Sequence, residues 1–195
     1  MSRRHTDAAL LEAARDCVAT LGVRRTTVAD VARRAGASRM TVYRLFPDAR
    51  TLWSTLLTTE FEGVLREAEA AAAHLPTARE RLVETTIRGV ERVAADPVVR
   101  RVLEVDPDLL VPYIVERLGQ SQRIAMAAFR RHLDEGVADG SIRRVDADVV
   151  SYMLQLVVGG VVLATRVTEQ ESRPKAVIAE LRRLLDAYLT PEAAA

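Results

Sequence analysis

The chain has 195 residues, 49% of them apolar and only 4% aromatic, with 28 basic against 27 acidic side chains. Strand-favouring alternation is hard to find and Ala, Leu, Arg and Glu dominate, which favours helix, and the length suits one or two domains with a substantial core. The near-neutral total hides an asymmetry: residues 1–50 hold ten arginines against five acids, a local +5, and the remainder carries −4. A basic head on a mildly acidic body suits a protein that meets nucleic acid at one end, although an inconsequential uneven surface would look the same.

Arg3, Arg4 and His5 open the chain as a short basic arm, which either touches DNA or is disordered. Thr6 is the expected cap of a helix to about Leu21, with Leu10, Ala14, Cys17, Val18 and Leu21 on one face and Gly22 at its end. Cys17 has no disulfide partner, there is no signal peptide, and cytoplasmic residence is the expectation.

From Thr26 to Phe46 the chain reads TTVADVARRAGASRMTVYRLF, two short helices around a tight turn. Thr27 and Asp30 form an aspartate version of a capping box, and Val28, Val31, Ala32 and Ala35 recur at helical spacing. Gly36 stands where a helix end favours left-handed backbone, and Ser38 caps a second helix that stops before Pro47. Val42, Leu45 and Phe46 point inward, leaving Arg39, Met40, Thr41, Tyr43 and Arg44 outward. Such a face offers donors to phosphate oxygens and base edges, although a solvated helical hairpin remains the plain alternative.

The segment from Gly22 to Leu52, GVRRTTVADVARRAGASRMTVYRLFPDARTL, resembles the DNA-binding region of the TetR family of bacterial transcription regulators. The likeness rests on the Thr-Thr-Val opening, Val-Ala-x-x-Ala-Gly before the turn, Ser38, the Tyr43-x-x-Phe46 pair, and the helix after Pro47-Asp48. Phosphate contacts are expected from Thr27, Tyr43 and Arg50, and groove contacts from the outward Arg39, Met40, Thr41 and Arg44 behind the Ser38 cap, although the family's base contacts do not carry over to Met40. Two positions depart from the family's habit. Met40 stands where a small residue is common, and Ala49 where a lysine is common, with Arg50 next along as the substitute.

A long helix is expected from Ala49 to about Ala73, with Trp53, Leu56, Leu57, Phe61, Val64 and Leu65 on its apolar side. The resemblance makes it the helix that transmits ligand binding to the reading head. His74 reads as a cation at its end. Further helices follow: Thr77 to about Ala95, Asp96-Pro97 through Leu103, Asp106-Pro107 through Leu118, Ser121 to Ala138, Asp146 to Val167, and Pro174 to Leu189. The fold class is therefore all-α: residues 1–50 as a three-helix helix–turn–helix domain, and residues 51–195 as a helical effector-binding and dimerisation domain.

The run Leu156 to Ala164, LVVGGVVLA, has no polar side chain and is too short for a bilayer, which needs about 20 apolar residues. No membrane association is expected. The run is either a central helix of one subunit or part of a homodimer interface formed by Leu156, Val157, Gly159, Gly160 and Leu163. The last helix adds Val177, Leu181, Leu184, Leu185 and Tyr188 at matching spacing, the glycines would permit a close crossing, and the resembled family dimerises through such a four-helix arrangement. Two recognition helices about 34 Å apart would match a palindromic double-stranded DNA operator.

The resemblance also implies a small-molecule effector pocket within about Trp53 to Thr165, for which Phe61, Leu103, Tyr113, Met126, Phe129 and Met153 are candidate lining and equally plain core. His132, Gln155 and Thr165 could orient an apolar or amphipathic effector or lie at surfaces. His5, His74, His132 and Cys17 lack metal-ligand spacing, and no phosphate loop or nucleophile elbow is present. No enzyme activity, cofactor or metal is expected. The expected function is a homodimeric repressor released by an effector, with an activator or a helical ligand-binding protein as alternatives.

Overall fold

The computed structural model describes residues 3–109, 119–164 and 173–191, with backbone alone for residues 3–6 and Ala49. Among the described residues there are nine α-helices, one short 3-10 turn and no strand. The helices are α1 (Arg3–Leu21), α2 (Val28–Arg34), α3 (Arg39–Leu45), α4 (Ala49–Ala72), α5 (Ala78–Ala95), α6 (Pro97–Val105), α7 (Gln120–Ala138), α8 (Ala147–Leu163) and α9 (Pro174–Leu189). The 3-10 turn is Pro107–Leu109. No described helix is long and apolar enough to cross a membrane.

Caps explain most of these boundaries. The Asp96 carboxylate accepts from the N–H groups of Val98 and Val99 at the start of α6, and Asp146 does the same for Asp148 and Val149 at the start of α8. Thr77 and Glu80 satisfy each other's backbone N–H groups before α5, at 3.2 and 3.1 Å. Three boundaries differ from the sequence reading. α1 begins at Arg3 rather than at a Thr6 cap, so the basic arm is the first helical turn. Asp106-Pro107 opens a 3-10 turn, and the rest of the helix expected through Leu118 falls on residues outside those described. α8 closes at Leu163 on an Ala164 cap, with Thr165 to Val167 outside the described residues.

The chain forms two compact units. The first comprises the described residues of Met1–Glu60 and Ala95–Leu118, and the second those of Phe61–Ala94 and Gly119–Ala195. Two small cores hold the first unit. Leu10, Ala13, Ala14 and Cys17 of α1 pack with Val31, Ala32, Val42, Phe46 and Leu52. Val18 of α1 packs instead with Trp53, Leu56, Val98 and Val102, which adds α6 to the head. Leu21, expected on the apolar stripe, is exposed where the helix runs out.

In the second unit one core joins α5, α7, α8 and α9 through Leu82, Ile87, Val90, Phe129, Leu133, Val150, Leu154, Leu181, Leu185 and Leu189. Burying a leucine or phenylalanine of this kind contributes about 1.5–3 kcal/mol. Leu181 and Leu185 are thus enclosed by their own unit, because they sit on the core side of α9 (0% exposed for Leu185); a partner subunit cannot reach them. Leu184 and Tyr188 on the adjacent stripe are exposed.

Candidate nucleic-acid interface

Two consecutive caps shape the helix–turn–helix. Thr27 Oγ1 accepts from Asp30 N–H at 3.2 Å, while the Asp30 carboxylate accepts from Thr27 N–H at 3.1 Å and from the Thr27 hydroxyl at 2.5 Å. These Thr27 bonds, with Arg33 beside them, hold the Asp30 carboxyl below the usual carboxylate range. Gly36 at φ +61° turns the chain, since a side chain is rarely tolerated in that conformation. Ser38 Oγ then accepts from Thr41 N–H at 3.1 Å and starts α3. Asp48 repeats the device ahead of α4, accepting from Thr51 N–H at 2.6 Å; this bond lowers its pKa.

Val42 and Phe46 fasten α3 into the head's core, at 0% and 4% exposed, and Leu45 is half-buried. The opposite face is open: Arg39, Tyr43 and Arg44 are exposed and Met40 is 76% exposed. Thr41 is half-buried, and its hydroxyl lies 2.9 Å from Ser38 Oγ. It stiffens the first turn of α3 as much as it faces outward.

The arginines of the head whose side chains are described fall into two sets. Arg15 binds Glu60 and Asp96, Arg24 binds Asp108, Arg33 binds Asp30, and Arg34 binds Asp16. Arg25, Arg39, Arg44 and Arg50 form no ion pair with any described residue and are all exposed. An arginine with no internal carboxylate keeps its whole donor fork for a phosphate or a guanine edge. Arg25 was not anticipated. Its signal was available, because it sits two residues ahead of the Thr27 cap, at the cationic end of α2's amide ladder, where anions are favoured.

The expected effector residues are dispersed. Leu103 belongs to the first unit; Phe61, Met126, Phe129 and Met153 belong to the second. Phe129 is plain core, Phe61 and Met126 are half-buried, and Met153 is 46% exposed, so it lines nothing enclosed in a single chain. Tyr113 and Thr165 lie outside the described residues. His132 and Gln155 are buried. Burial, then the Arg131 charge, push the His132 pKa below its ordinary value, while Glu135 and Glu69 oppose them from 3.9 and 4.0 Å.

Among the described residues no other helix crosses closely at Gly159 and Gly160. A Cβ at Gly160 would meet nothing within 4 Å, and one at Gly159 would face only Gln155 of its own helix, at 3.3 Å. Instead Val149, Tyr152, Met153, Leu156 and Gly160 line one exposed face of α8, while Val157 and Leu163 are half-buried.

A family model for bacterial regulatory proteins of the tetR family matches residues 10–52. An uncharacterized HTH-type transcriptional regulator of Mycobacterium tuberculosis is 33% identical over 187 residues, covering 96% of each chain. Two solved structures share the fold. A TetR-family transcriptional regulator from Pectobacterium atrosepticum superposes with a TM-score of 0.76 at 18% identity, covering 97% of this chain and 98% of that one. The regulator FadR from Bacillus subtilis, solved with stearoyl-CoA, gives 0.72 at 17% identity, covering 94% and 99%.

Proposed function

Because this chain belongs to the TetR family of bacterial regulatory proteins, we propose that it is a homodimeric repressor that leaves a palindromic operator when a small-molecule effector binds. Its class is not in question: it is a transcription regulator with a helix–turn–helix head, and its relatives are regulators rather than enzymes. The observation that carries the proposal is the outward face of α3, where Arg39, Met40, Tyr43 and Arg44 stand on a doubly capped scaffold without internal partners. In this reading Arg39, Met40, Thr41 and Arg44 meet base edges in the major groove, and Met40 offers its thioether to a thymine methyl. Thr27, Tyr43, Arg50 and Arg25 hold phosphates on either side.

Dimerisation is supported by the exposed stripe Val149, Tyr152, Met153, Leu156 and Gly160 on α8, with Leu184 and Tyr188 on α9. An apolar stripe of that extent favours burial against a second copy, and two-fold symmetry then pairs it with itself. The dimer is also what the DNA reading requires. A mismatch costs about 1–3 kcal/mol, too little for one short helix to find its site among competing sequences. Residues 1–50 supply the reading function and residues 51–195 effector binding and pairing. An amphipathic effector is favoured: FadR was solved with stearoyl-CoA, and the polar side chains of Gln155 and His132 are buried here. An effector that prefers the weakly binding state of the dimer lowers operator occupancy by its differential affinity for the two states.

The test begins with genome-wide mapping of bound sites, followed by anisotropy titration of the full chain on the recovered duplex and a scrambled one at fixed salt. Expected are a dimer at micromolar concentration, a palindromic site, and affinity for it at least about 10³-fold above scrambled DNA. A monomer, or equal affinity for both duplexes, overturns the proposal.

A further inference from the structure

Asp106 was expected to cap a helix, but its carboxylate does something else. It is 5% exposed, and its Oδ2 accepts from Val23 N–H at 2.8 Å and Arg24 N–H at 3.3 Å, in the turn between α1 and α2. Gly22 is shaped to this contact: at φ +87°, a Cβ there would lie 2.7 Å from Asp106 Oδ2 and 2.6 Å from Val105 Cγ2. The Arg24 guanidinium pairs with Asp108 and lies 3.9 Å from the other Asp106 oxygen. At the opposite end of α6, the Asp96 cap pairs with Arg15 of α1 at 2.9 Å. Between these two ends Val98 and Val102 pack on Val18, Trp53 and Leu56.

We propose that Asp106 is a positioning residue for DNA reading: by holding the Val23 and Arg24 amides it sets the turn from which α2 and α3 are launched. The inference rests on the DNA-binding reading above. The core that unites α1, α2 and α3 contains no residue of α6, which packs on α1 through the separate core of Val18, Val98 and Val102. What the Asp106 bond supplies is direction. A carboxylate accepting two backbone N–H groups makes charge-assisted bonds, and its loss leaves both donors without an acceptor in a turn whose other side-chain bond, from the Thr26 hydroxyl to the Gly22 carbonyl at 2.7 Å, does not reach them. The next residues, Arg25 and Thr27, are proposed phosphate contacts, so a loosened turn shifts their donors relative to the backbone they should meet.

The experiment uses the full-length protein and the recovered operator duplex, with Asp106→Ala and Asp106→Asn. Asp106→Ala is expected to lose operator affinity at least tenfold and to lose hydrogen-exchange protection at the Val23 and Arg24 amides. Its dimer state and the emission of the single tryptophan, Trp53, are expected to stay as in the parent. Asp106→Asn keeps an oxygen acceptor and is expected to restore both protection and most of the affinity. Operator affinity unchanged when protection is lost overturns the proposal. So does an Asp106→Asn protein that keeps protection yet loses operator affinity at least tenfold against the parent, and this arm decides the matter if the alanine variant does not fold. A parent protein that binds no duplex sinks the DNA reading instead, which separates the two failures.

Discussion

Two surfaces of this chain expose large apolar side chains, and their charges set them apart. On α3, Met40 and Tyr43 stand beside Arg39 and Arg44, which have no ion-pair partner among the described residues. On α8, Val149, Tyr152, Met153 and Leu156 stand beside charges already satisfied: Asp148 pairs with Arg130, and on α9 Arg183 pairs with Glu180 at 2.5 Å. Arg143 there lies 4.5 Å over the Tyr188 ring and donates to the Tyr188 carbonyl. Free cations next to apolar groups fit a polyanion with a base stack. Neutralised surroundings fit a copy of the same surface, since a two-fold axis brings each charge toward its own image. In the proposed function both surfaces are interfaces, and charge pairing is what distinguishes the partner proposed for each.

The harshest way to break that contrast is to put a cation on the neutral surface. Leu156→Arg should yield a monomer in sedimentation and lower operator affinity by about 10²-fold or more, because an unpaired charge buried at an interface costs about 2–5 kcal/mol. An intact dimer with full affinity would remove α8 from the interface. Next comes a pair of neighbours. In the monomeric background Leu185→Ala should cost about 2–5 kcal/mol in urea unfolding, whereas Leu184→Ala should change it by less than about 0.5 kcal/mol. In the wild-type background Leu184→Ala should instead weaken self-association. Equal effects on unfolding would erase the distinction between the core and exposed sides of α9.

The cationic surface can be sharpened in the same manner. Arg39→Ala should lose about 1–3 kcal/mol of operator binding and relax preference at one position. Arg34→Ala, whose guanidinium is committed to Asp16, should leave operator affinity nearly unchanged. Similar losses for both would mean that internal pairing does not sort the arginines. The smallest effect is a control that lies on neither surface. The His132 pKa is lowered in the folded protein, so the unfolded chain binds more protons as pH falls through about 6.5, and stability declines below that point. Melting between about pH 7.5 and about pH 5.5 should show that decline, flattened in His132→Gln, with operator specificity unaltered.

The head was nearly complete in its residue pattern. Thr27–Asp30, Gly36 and Ser38 are local devices, each acting within three or four residues, and the structure realises all of them. The inward positions of α3 were legible because only one face of so short a helix can reach a core. The proposed pocket was not legible in the same way: Leu103, Phe129 and Met153 share apolar character, yet Leu103 is half-buried, Phe129 lies in the core and Met153 in the open. The last helix misled for a related reason. Leu181, Leu184, Leu185 and Tyr188 recur at helical spacing, and spacing cannot say which of two adjacent stripes faces inward.

Sequence alone determined much of what depends on neighbours along the chain: the helix starts at the Thr27, Ser38, Asp96 and Asp146 caps, the left-handed turn at Gly36, the basic bias of the first fifty residues, and the exposed Arg39, Met40, Tyr43 and Arg44 of α3. Tertiary structure alone decided which arginines are free, which leucines of α9 are enclosed, and that Asp106 holds a turn 82 residues earlier. The division has a physical basis. Caps and turns close hydrogen bonds over a few residues, so residue types at fixed spacing suffice to specify them, whereas ion pairing and burial depend on distances between segments that only packing brings together.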